Sequence, residues 1–120
     1  IGKFKPKTVV VDPISSLVTV GSNSEVRAML VRLMDMLKMN GINALFTALT
    51  HQGQEPDEAS DITVDAVSSL ADTWIQLRNV QQNDARKRSL LIVKSRGAGH
   101  SNQWFDFTIS AKGIVLEAEK

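Results

Sequence analysis

One seven-residue segment near the end of the chain carries the residues best suited to chemistry, Lys94-Ser95-Arg96-Gly97-Ala98-Gly99-His100. The residues before it, Arg88 to Val93, are predicted to form a strand, so Lys94 and Arg96 should point to the same side of an extended backbone. Two cations that point one way repel each other. A polyphosphate would relieve that repulsion, and an arginine can bind it through two hydrogen bonds. The alternative is a solvated basic strand end without a ligand.

A second candidate is the acid that follows the short apolar run Thr8 to Val11. The order Thr-Val-Val-Val-Asp is that of the Walker B motif, in which an acid at a strand tip holds the water shell of a nucleotide-bound Mg²⁺. Pro13 cannot continue the strand, so Asp12 is predicted to lie at its C-terminal tip. The alternative is that Asp12 merely begins a turn, as aspartate commonly does.

These residues are positioned by a predicted strand-helix-strand unit. The continuous apolar run Thr8 to Val11 indicates a strand buried on both faces, as in a parallel sheet. Ser22 and Glu25 have the spacing of a capping box at the start of a helix, and Asn40-Gly41 is predicted to end that helix. Ile42 to Thr50 is predicted to form the next strand. Because the links are short, the two strands should be parallel and joined by a right-handed crossover.

The second half of the chain is predicted to add antiparallel hairpins to this α/β core. The predicted elements are a loop over 51–61, a short helix from Val64 to Leu70, a hairpin of Trp74–Val80 with Arg88–Val93, and a hairpin of Trp104–Ser110 with Ile114–Leu116. A core of two parallel strands is incomplete, since the first strand of such a sheet normally has neighbours on both sides. The sequence therefore predicts exposed apolar surface and a piece of a larger domain, and the start at Ile1 without a methionine agrees with that prediction.

Composition excludes several classes of function. The 120 residues carry a formal net charge of +1, and aromatic residues make up 5%, which argues against nucleic acid and a membrane surface as partners. The absence of cysteine excludes disulfides, thiolate zinc sites and thiol catalysis, and it fits a cytoplasmic protein. No apolar run approaches the ~18 residues of a membrane span. His51 and His100 have no nearby ligand partners in the sequence, so a metal site built on histidine is not predicted.

Five segments together resemble the KaiC family of RecA-type ATPases, which includes the cyanobacterial clock ATPase and its bacterial and archaeal relatives. They are VVVDPISSL, LFTALT, LADTWIQLRNV, RKRSLLIVKSRGAGHS and FDFTISAKGI, in the order and spacing of the family. The resemblance runs from about Lys7 to Leu116. It covers the second half of one RecA-like P-loop domain, so the fold that it implies is a partial α/β core, truncated before the Walker B strand. The half with the Walker A phosphate loop is absent from residues 1–120.

The resemblance implies a role for each matching residue. Asp12 resembles the Walker B acid that acts on Mg²⁺ through water. Lys94 and Arg96 resemble the pair that reaches from one subunit onto the γ-phosphate of ATP bound by its neighbour, Arg96 as a trans arginine finger and Lys94 as a sensor. Family members contact the same nucleotide at the positions of Ser95, Ala98 and His100, and Ser110 falls at a position near its base or ribose. Ala111 departs from the aspartate that the family often has at this position.

The resemblance also singles out the adjacent hydroxyl residues Ser68 and Ser69. In the second domain of the clock ATPase a Ser-Thr pair at this place is autophosphorylated, and in its first domain the corresponding residues are acidic. Ser68 and Ser69 are therefore candidate phosphorylation sites. The alternative is two serines on the surface of a helix.

Taken together, these observations predict part of an ATP-binding and ATP-hydrolysing protein that acts between the subunits of a homo-oligomeric ring, six in the family. A serine/threonine autokinase activity, regulatory protein partners and a role in signalling or circadian regulation are further implications of the resemblance. The isolated chain should not hydrolyse ATP, since half of each site is missing. Two other classes stay open, a RecA-like DNA-binding protein and a nonenzymatic protein-interaction module.

Overall fold

The computed structural model describes residues 3–19, 23–49, 69–82 and 84–117. The chain divides into two units, Ile1–Leu70 and Ala71–Lys120. The predicted loop over 51–61 and Ser22 of the predicted capping box lie outside the described residues. Of the helix predicted from Val64 to Leu70, only its last two residues are described, and both are helical.

The first unit is the predicted strand-helix-strand arrangement. Strand β1 (Thr8–Val11) is followed by a 3-10 helix (Ile14–Thr19), helix α1 (Asn23–Met39) and strand β2 (Asn43–Phe46). β1 and β2 pair in parallel, with Thr8 opposite Asn43 and Val11 opposite Phe46. The parallel βαβ unit expected from the sequence is therefore confirmed.

Helix α1 forms because its apolar residues recur every three or four positions and its charged residues occupy the other face. Val26, Leu30, Met34 and Leu37 are buried, whereas the five charged residues Glu25, Arg27, Arg32, Asp35 and Lys38 are exposed. Val26 and Leu30 join Ile14 of the 3-10 helix in the core of this unit, and Val11, Leu17 and Phe46 pack against them. Of the four methionines of this helix, Met34 alone is buried, and Met29, Met36 and Met39 are exposed.

The end of α1 is a Schellman motif, as the Asn40-Gly41 pair predicts. Ile42 N donates to Leu37 O at 2.9 Å, and Gly41 N donates to Lys38 O at 3.0 Å. Gly41 has φ of +63°, the left-handed conformation that this motif requires. The motif turns the chain directly into β2, so Gly41 sets where the second parallel strand begins.

Replacing Gly41 with alanine is expected to lower the free energy of unfolding by about 1–2 kcal/mol, the cost of a left-handed residue that carries a Cβ. No heavy atom lies within 4 Å of the Cβ that would be added, so backbone strain is the sole cause. Gly99→Ala is the matched control, because that glycine is equally uncrowded and does not have a left-handed φ. Urea denaturation followed by circular dichroism measures both variants, and equal losses would contradict the prediction.

Two details of the predicted parallel strands were wrong. β1 is not buried on both faces: Val9 and Val11 are partly buried, whereas Val10 is 59% exposed, because α1 and the 3-10 helix cover one face of the pair. The second strand ends at Phe46 and does not reach Thr50. β1 has four residues, so after Val11 has paired there is no further strand for β2 to follow.

The second unit is a four-stranded antiparallel sheet with the order β3-β4-β5-β6. Its strands are β3 (Thr73–Gln82), β4 (Ala85–Ser95), β5 (Phe105–Ser110) and β6 (Gly113–Leu116). Both predicted hairpins are confirmed, and the first is longer than predicted, because its strands pair as far as Gln82 opposite Ala85. Pairing of β4 with β5, from Arg88–Phe107 to Leu90–Phe105, joins the two hairpins into one sheet.

A polar cluster on one face of this sheet ties β4 to β5. The Ser89 hydroxyl is 2% exposed and donates to Asp106 Oδ1 at 2.7 Å, and Lys87 Nζ lies 2.6 Å from Asp106 Oδ2. Beside this cluster, the Arg78 guanidinium stacks 4.0 Å from the centre of the Trp104 ring. Hydrogen bonds from Lys87 and Ser89, with the nearby Arg78 charge, hold the pKa of Asp106 below its ordinary value of 3.8. The buried hydroxyl is thereby satisfied, as the interior of a sheet requires.

Asp106 is expected to make the second unit acid-sensitive. A carboxylate with a lowered folded-state pKa contributes stability that is complete above the unfolded-state pKa and is lost as pH falls through the folded-state pKa. The window therefore begins near pH 3.8 and extends below it. Asp106→Asn should unfold less steeply with acid over that window, whereas Asp84→Asn, at the exposed end of the first hairpin, should follow the wild type. Acid titration of the circular dichroism signal measures both, and parallel curves for Asp106→Asn and wild type would contradict the prediction.

Candidate functional site

Asp12 lies where the sequence predicted it, directly after the last residue of β1. Thr47 follows the last residue of the neighbouring strand, and its hydroxyl donates to Asp12 Oδ1. The main chains also meet here, because Thr47 N donates to Val11 O at 3.0 Å and Ile14 N donates to Thr47 O at 2.8 Å. Carboxyl ends of parallel strands are the edge at which open α/β sheets bind ligands. The geometry therefore places an oriented carboxylate at the carboxyl edge of the parallel pair.

The residues around Asp12 fit a hydrated magnesium ion better than a directly ligated one. Asp12 is exposed, and a carboxylate oxygen not bonded to Thr47 can accept from a metal-bound water. Among the described residues, no group of three acidic or histidine side chains could hold a metal ion directly. Thr47 was missed as a site residue. The sequence feature that could have identified it is a hydroxyl residue directly after the apolar run of the second strand. Because that strand was predicted to reach Thr50, Thr47 was placed inside it.

Lys94 and Ser95 end strand β4, and Arg96 begins the loop that follows. Trp74 lies opposite Lys94 and Thr73 lies opposite Ser95. Between Trp74 and Ile75 the register shifts, which leaves Val93 as an extra residue on β4. A bulge of this kind bends its strand and turns the side chains beyond it, and bulges are enriched beside active sites. The backbone from Lys94 to Arg96 therefore runs in a different direction from the part of β4 before the bulge.

The loop after Arg96 leaves backbone and side chains accessible. Gly97 has φ of +80°, so the turn needs glycine, and Ala98 and Gly99 are exposed. His100 is partly buried, with Nδ1 3.2 Å from Ser101 O. The segment from Lys94 to His100 thus presents two cations, small residues and an imidazole on consecutive positions.

Arg96 is paired with an acid that sequence reasoning did not single out. Arg96 Nη1 lies 3.2 Å from Asp72 Oδ1, and Arg96 N donates to Asp72 O at 2.7 Å. Both side chains are more than half exposed. The repulsion expected between Lys94 and Arg96 did not include this carboxylate. Asp72 offsets part of that positive charge, and it lies 24 residues earlier in the chain, too far for a spacing argument to connect the two.

Ser110 has a structural task at the turn between β5 and β6. Its hydroxyl donates to Gly113 O at 3.3 Å and accepts from Lys112 N at 3.2 Å. One lone pair of the hydroxyl oxygen remains for a ligand.

Of the two candidate phosphorylation sites, Ser69 is exposed in a described helical segment, and Ser68 lies outside the described residues.

A model of the KaiC ATPase family matches the chain over residues 1–120. The chain belongs to the KaiC family of ATPases. It is 41% identical over 116 residues to circadian clock protein KaiC2 of a Synechocystis species, an alignment that covers 97% of this chain and 20% of that protein. It is 31% identical over 113 residues to circadian clock oscillator protein KaiC of Synechococcus elongatus, covering 94% of this chain and 21% of that protein.

A solved KaiC-like structure shares the fold. The protein is from the hyperthermophilic archaeon Pyrococcus horikoshii, with a TM-score of 0.71 and 26% sequence identity, covering 93% of this chain and 47% of that chain. The KaiC-family assignment and the partial RecA-type α/β fold expected from the sequence are therefore confirmed. This KaiC-family chain spans about a fifth of the length of the curated relatives that it matches. No helix among its described residues is long and apolar enough to cross a membrane.

Proposed function

We propose that this chain is the C-terminal half of one KaiC-like ATPase domain and that it serves two ATP sites of a six-membered homo-oligomeric ring. The Walker A half of the domain, on this proposal, comes from residues outside 1–120. Asp12 acts in the site of its own subunit, and Lys94 and Arg96 act in the site of the next subunit. The observation that carries the proposal is the exposed Arg96, which directly follows the half-buried Lys94 and Ser95 at the end of β4, in a chain that belongs to an ATPase family.

In the subunit's own site, Asp12 would hold the water shell of Mg²⁺ while its carboxylate is oriented by Thr47. When bound, the metal would neutralise negative charge on the β- and γ-phosphates. An aspartate that is already oriented loses less conformational entropy when the hydrated ion binds.

In the neighbour's site, the tip of β4 would supply positive charge where negative charge develops during phosphoryl transfer. Arg96 acts as the trans arginine finger, and Lys94 senses the γ-phosphate. Ser95 at the end of β4, Ala98 and His100 in the loop after it, and Ser110 at the end of β5 would contact the same nucleotide. Supporting this assignment, Arg96 is 57% exposed and therefore accessible to a ligand held by another subunit.

The decisive experiment is steady-state ATP hydrolysis by the protein at its native length, with and without Mg²⁺, together with native mass spectrometry to count subunits. We expect turnover that requires both Mg²⁺ and the assembled ring. The 120-residue chain alone should show none. A ring that binds ATP without turning it over would contradict the proposal and would favour a protein-interaction module instead.

Autokinase activity on Ser68 and Ser69 is a separate part of the proposal. The exposed position of Ser69 supports it, because a phosphate acceptor has to reach a nucleotide. Intact-mass analysis of a hydrolysing sample in Mg-ATP should show added phosphate that Ser68→Ala with Ser69→Ala removes. A hydrolysing sample that stays unmodified would contradict this part while leaving the ATPase proposal in place.

Regulatory protein partners, a cytoplasmic location and a signalling or circadian role complete the proposal. They follow from the names of the relatives and from the composition. A DNA-binding role is the weaker alternative, because Lys87, the central residue of the basic run Arg86-Lys87-Arg88, is already paired with Asp106.

A further inference from the structure

Asp72 and Arg96 are linked twice, once through the main chain and once through the side chains. Asp72 directly precedes β3 and Arg96 directly follows β4, so the two residues extend the ladder beyond its last pair, Thr73 opposite Ser95. Arg96 N donates to Asp72 O at 2.7 Å, and Nη1 lies 3.2 Å from Asp72 Oδ1. Immediately after Arg96, the chain turns away at Gly97 with φ of +80°. Arg96 is therefore the last anchored residue before the loop.

The ion pair with Asp72 uses only part of the hydrogen-bonding capacity of Arg96. The side chains of Arg96 and Asp72 are 57% and 59% exposed, so solvent weakens their attraction and the pair contributes little to stability. A guanidinium has five N–H donors, and the contact with Oδ1 is made by Nη1. Enough donors remain for a bidentate contact with a phosphate, which is stronger than an exposed carboxylate contact.

We propose that Asp72 is a positioning residue for Arg96. In the absence of nucleotide its carboxylate restricts the long arginine side chain to orientations that face the neighbouring subunit's phosphate. The conformational entropy of Arg96 is then already reduced when the ring closes around ATP. This inference rests on the proposed role of Arg96 in trans. It adds a residue that touches neither the nucleotide nor the metal.

The test is a double-mutant cycle in the native-length protein, with Asp72→Asn in the wild-type and Arg96→Ala backgrounds. Asparagine keeps the shape of the side chain and the main-chain link and removes the charge. We expect kcat for ATP hydrolysis to fall about twofold to fivefold, the range of an exposed ion pair, with KM and subunit count unchanged. Asp72→Glu should restore part of the loss, and Asp72→Asn should have no further effect once Arg96 is alanine.

Asp84→Asn is the matched control, because Asp84 is exposed at the other end of the same hairpin. Equal kcat for Asp72→Asn and wild type, or a higher kcat for the variant, would overturn the inference while the ATPase proposal stands. The same loss in both backgrounds, or a loss of ring assembly, would show a structural role and overturn it as well. If the wild-type ring does not hydrolyse ATP, the proposed function fails and the inference fails with it.

Discussion

Replacing Arg96 with alanine in the native-length protein is expected to lower kcat for ATP hydrolysis by about 10³-fold or more, the effect of removing an arginine finger in comparable phosphoryl transfers. The reason is electrostatic, since the guanidinium offsets charge that builds up on the transferred phosphoryl group. Because Arg96 is more than half exposed and belongs to no core cluster, the variant should fold and assemble as the wild type does. Steady-state hydrolysis with native mass spectrometry measures both properties.

The control for this prediction is Arg86→Ala, which removes an exposed arginine near the start of β4, the strand that Arg96 follows. It should hydrolyse ATP as the wild type does. Mixed rings add a second check. Subunits with Arg96→Ala combined with wild-type subunits should lose activity in proportion to the interfaces that lack the arginine, since it acts in trans. Hydrolysis by homogeneous Arg96→Ala rings at the wild-type rate would show that the assignment of the Lys94–His100 segment is wrong.

Replacing Asp12 with asparagine is expected to raise the Mg²⁺ concentration for half-maximal hydrolysis by about 10-fold to 100-fold, the usual cost of losing an outer-shell partner of a metal site. The amide oxygen can still accept from the Thr47 hydroxyl, so the variant keeps the local hydrogen bond and loses the charge. Titration of Mg²⁺ at saturating ATP measures the change. The parallel pairing of β1 with β2 should not be affected, because Asp12 follows the last pair.

Asp35→Asn serves as the control for charge alone, since Asp35 is an exposed acid on α1 away from the strand tips. It should leave the Mg²⁺ dependence unchanged. An unchanged Mg²⁺ dependence in Asp12→Asn as well would mean that Asp12 only begins the turn after β1. That outcome would remove the Walker B assignment and leave the role of Arg96 untouched.

The sequence by itself determined the local elements of this protein. Local structure was predicted from three features: the apolar spacing in α1, the Asn40-Gly41 pair and the turn-forming residues between the hairpin strands. Each feature reflects a conformational preference of neighbouring residues, which does not depend on the rest of the chain. The same is true of the Lys94–His100 segment, whose residues are consecutive. Asp12 at a strand tip could also be predicted, because Pro13 ends the strand wherever the sheet lies.

Only the tertiary structure decided which distant residues meet these elements. Asp72 pairs with Arg96, Thr47 orients Asp12, and Asp106 accepts from the buried Ser89. Each contact joins residues that lie within two different strands or directly beside their ends. Such pairs depend on strand register, and a shift by one residue would move every side chain to the opposite face. Exposure of Val10 was likewise set by which face α1 covers. Strand register and the choice of which sheet face is covered depend on residues far apart in the chain. The residues suited to chemistry could therefore be recognised in the sequence, whereas the residues that contact them could not.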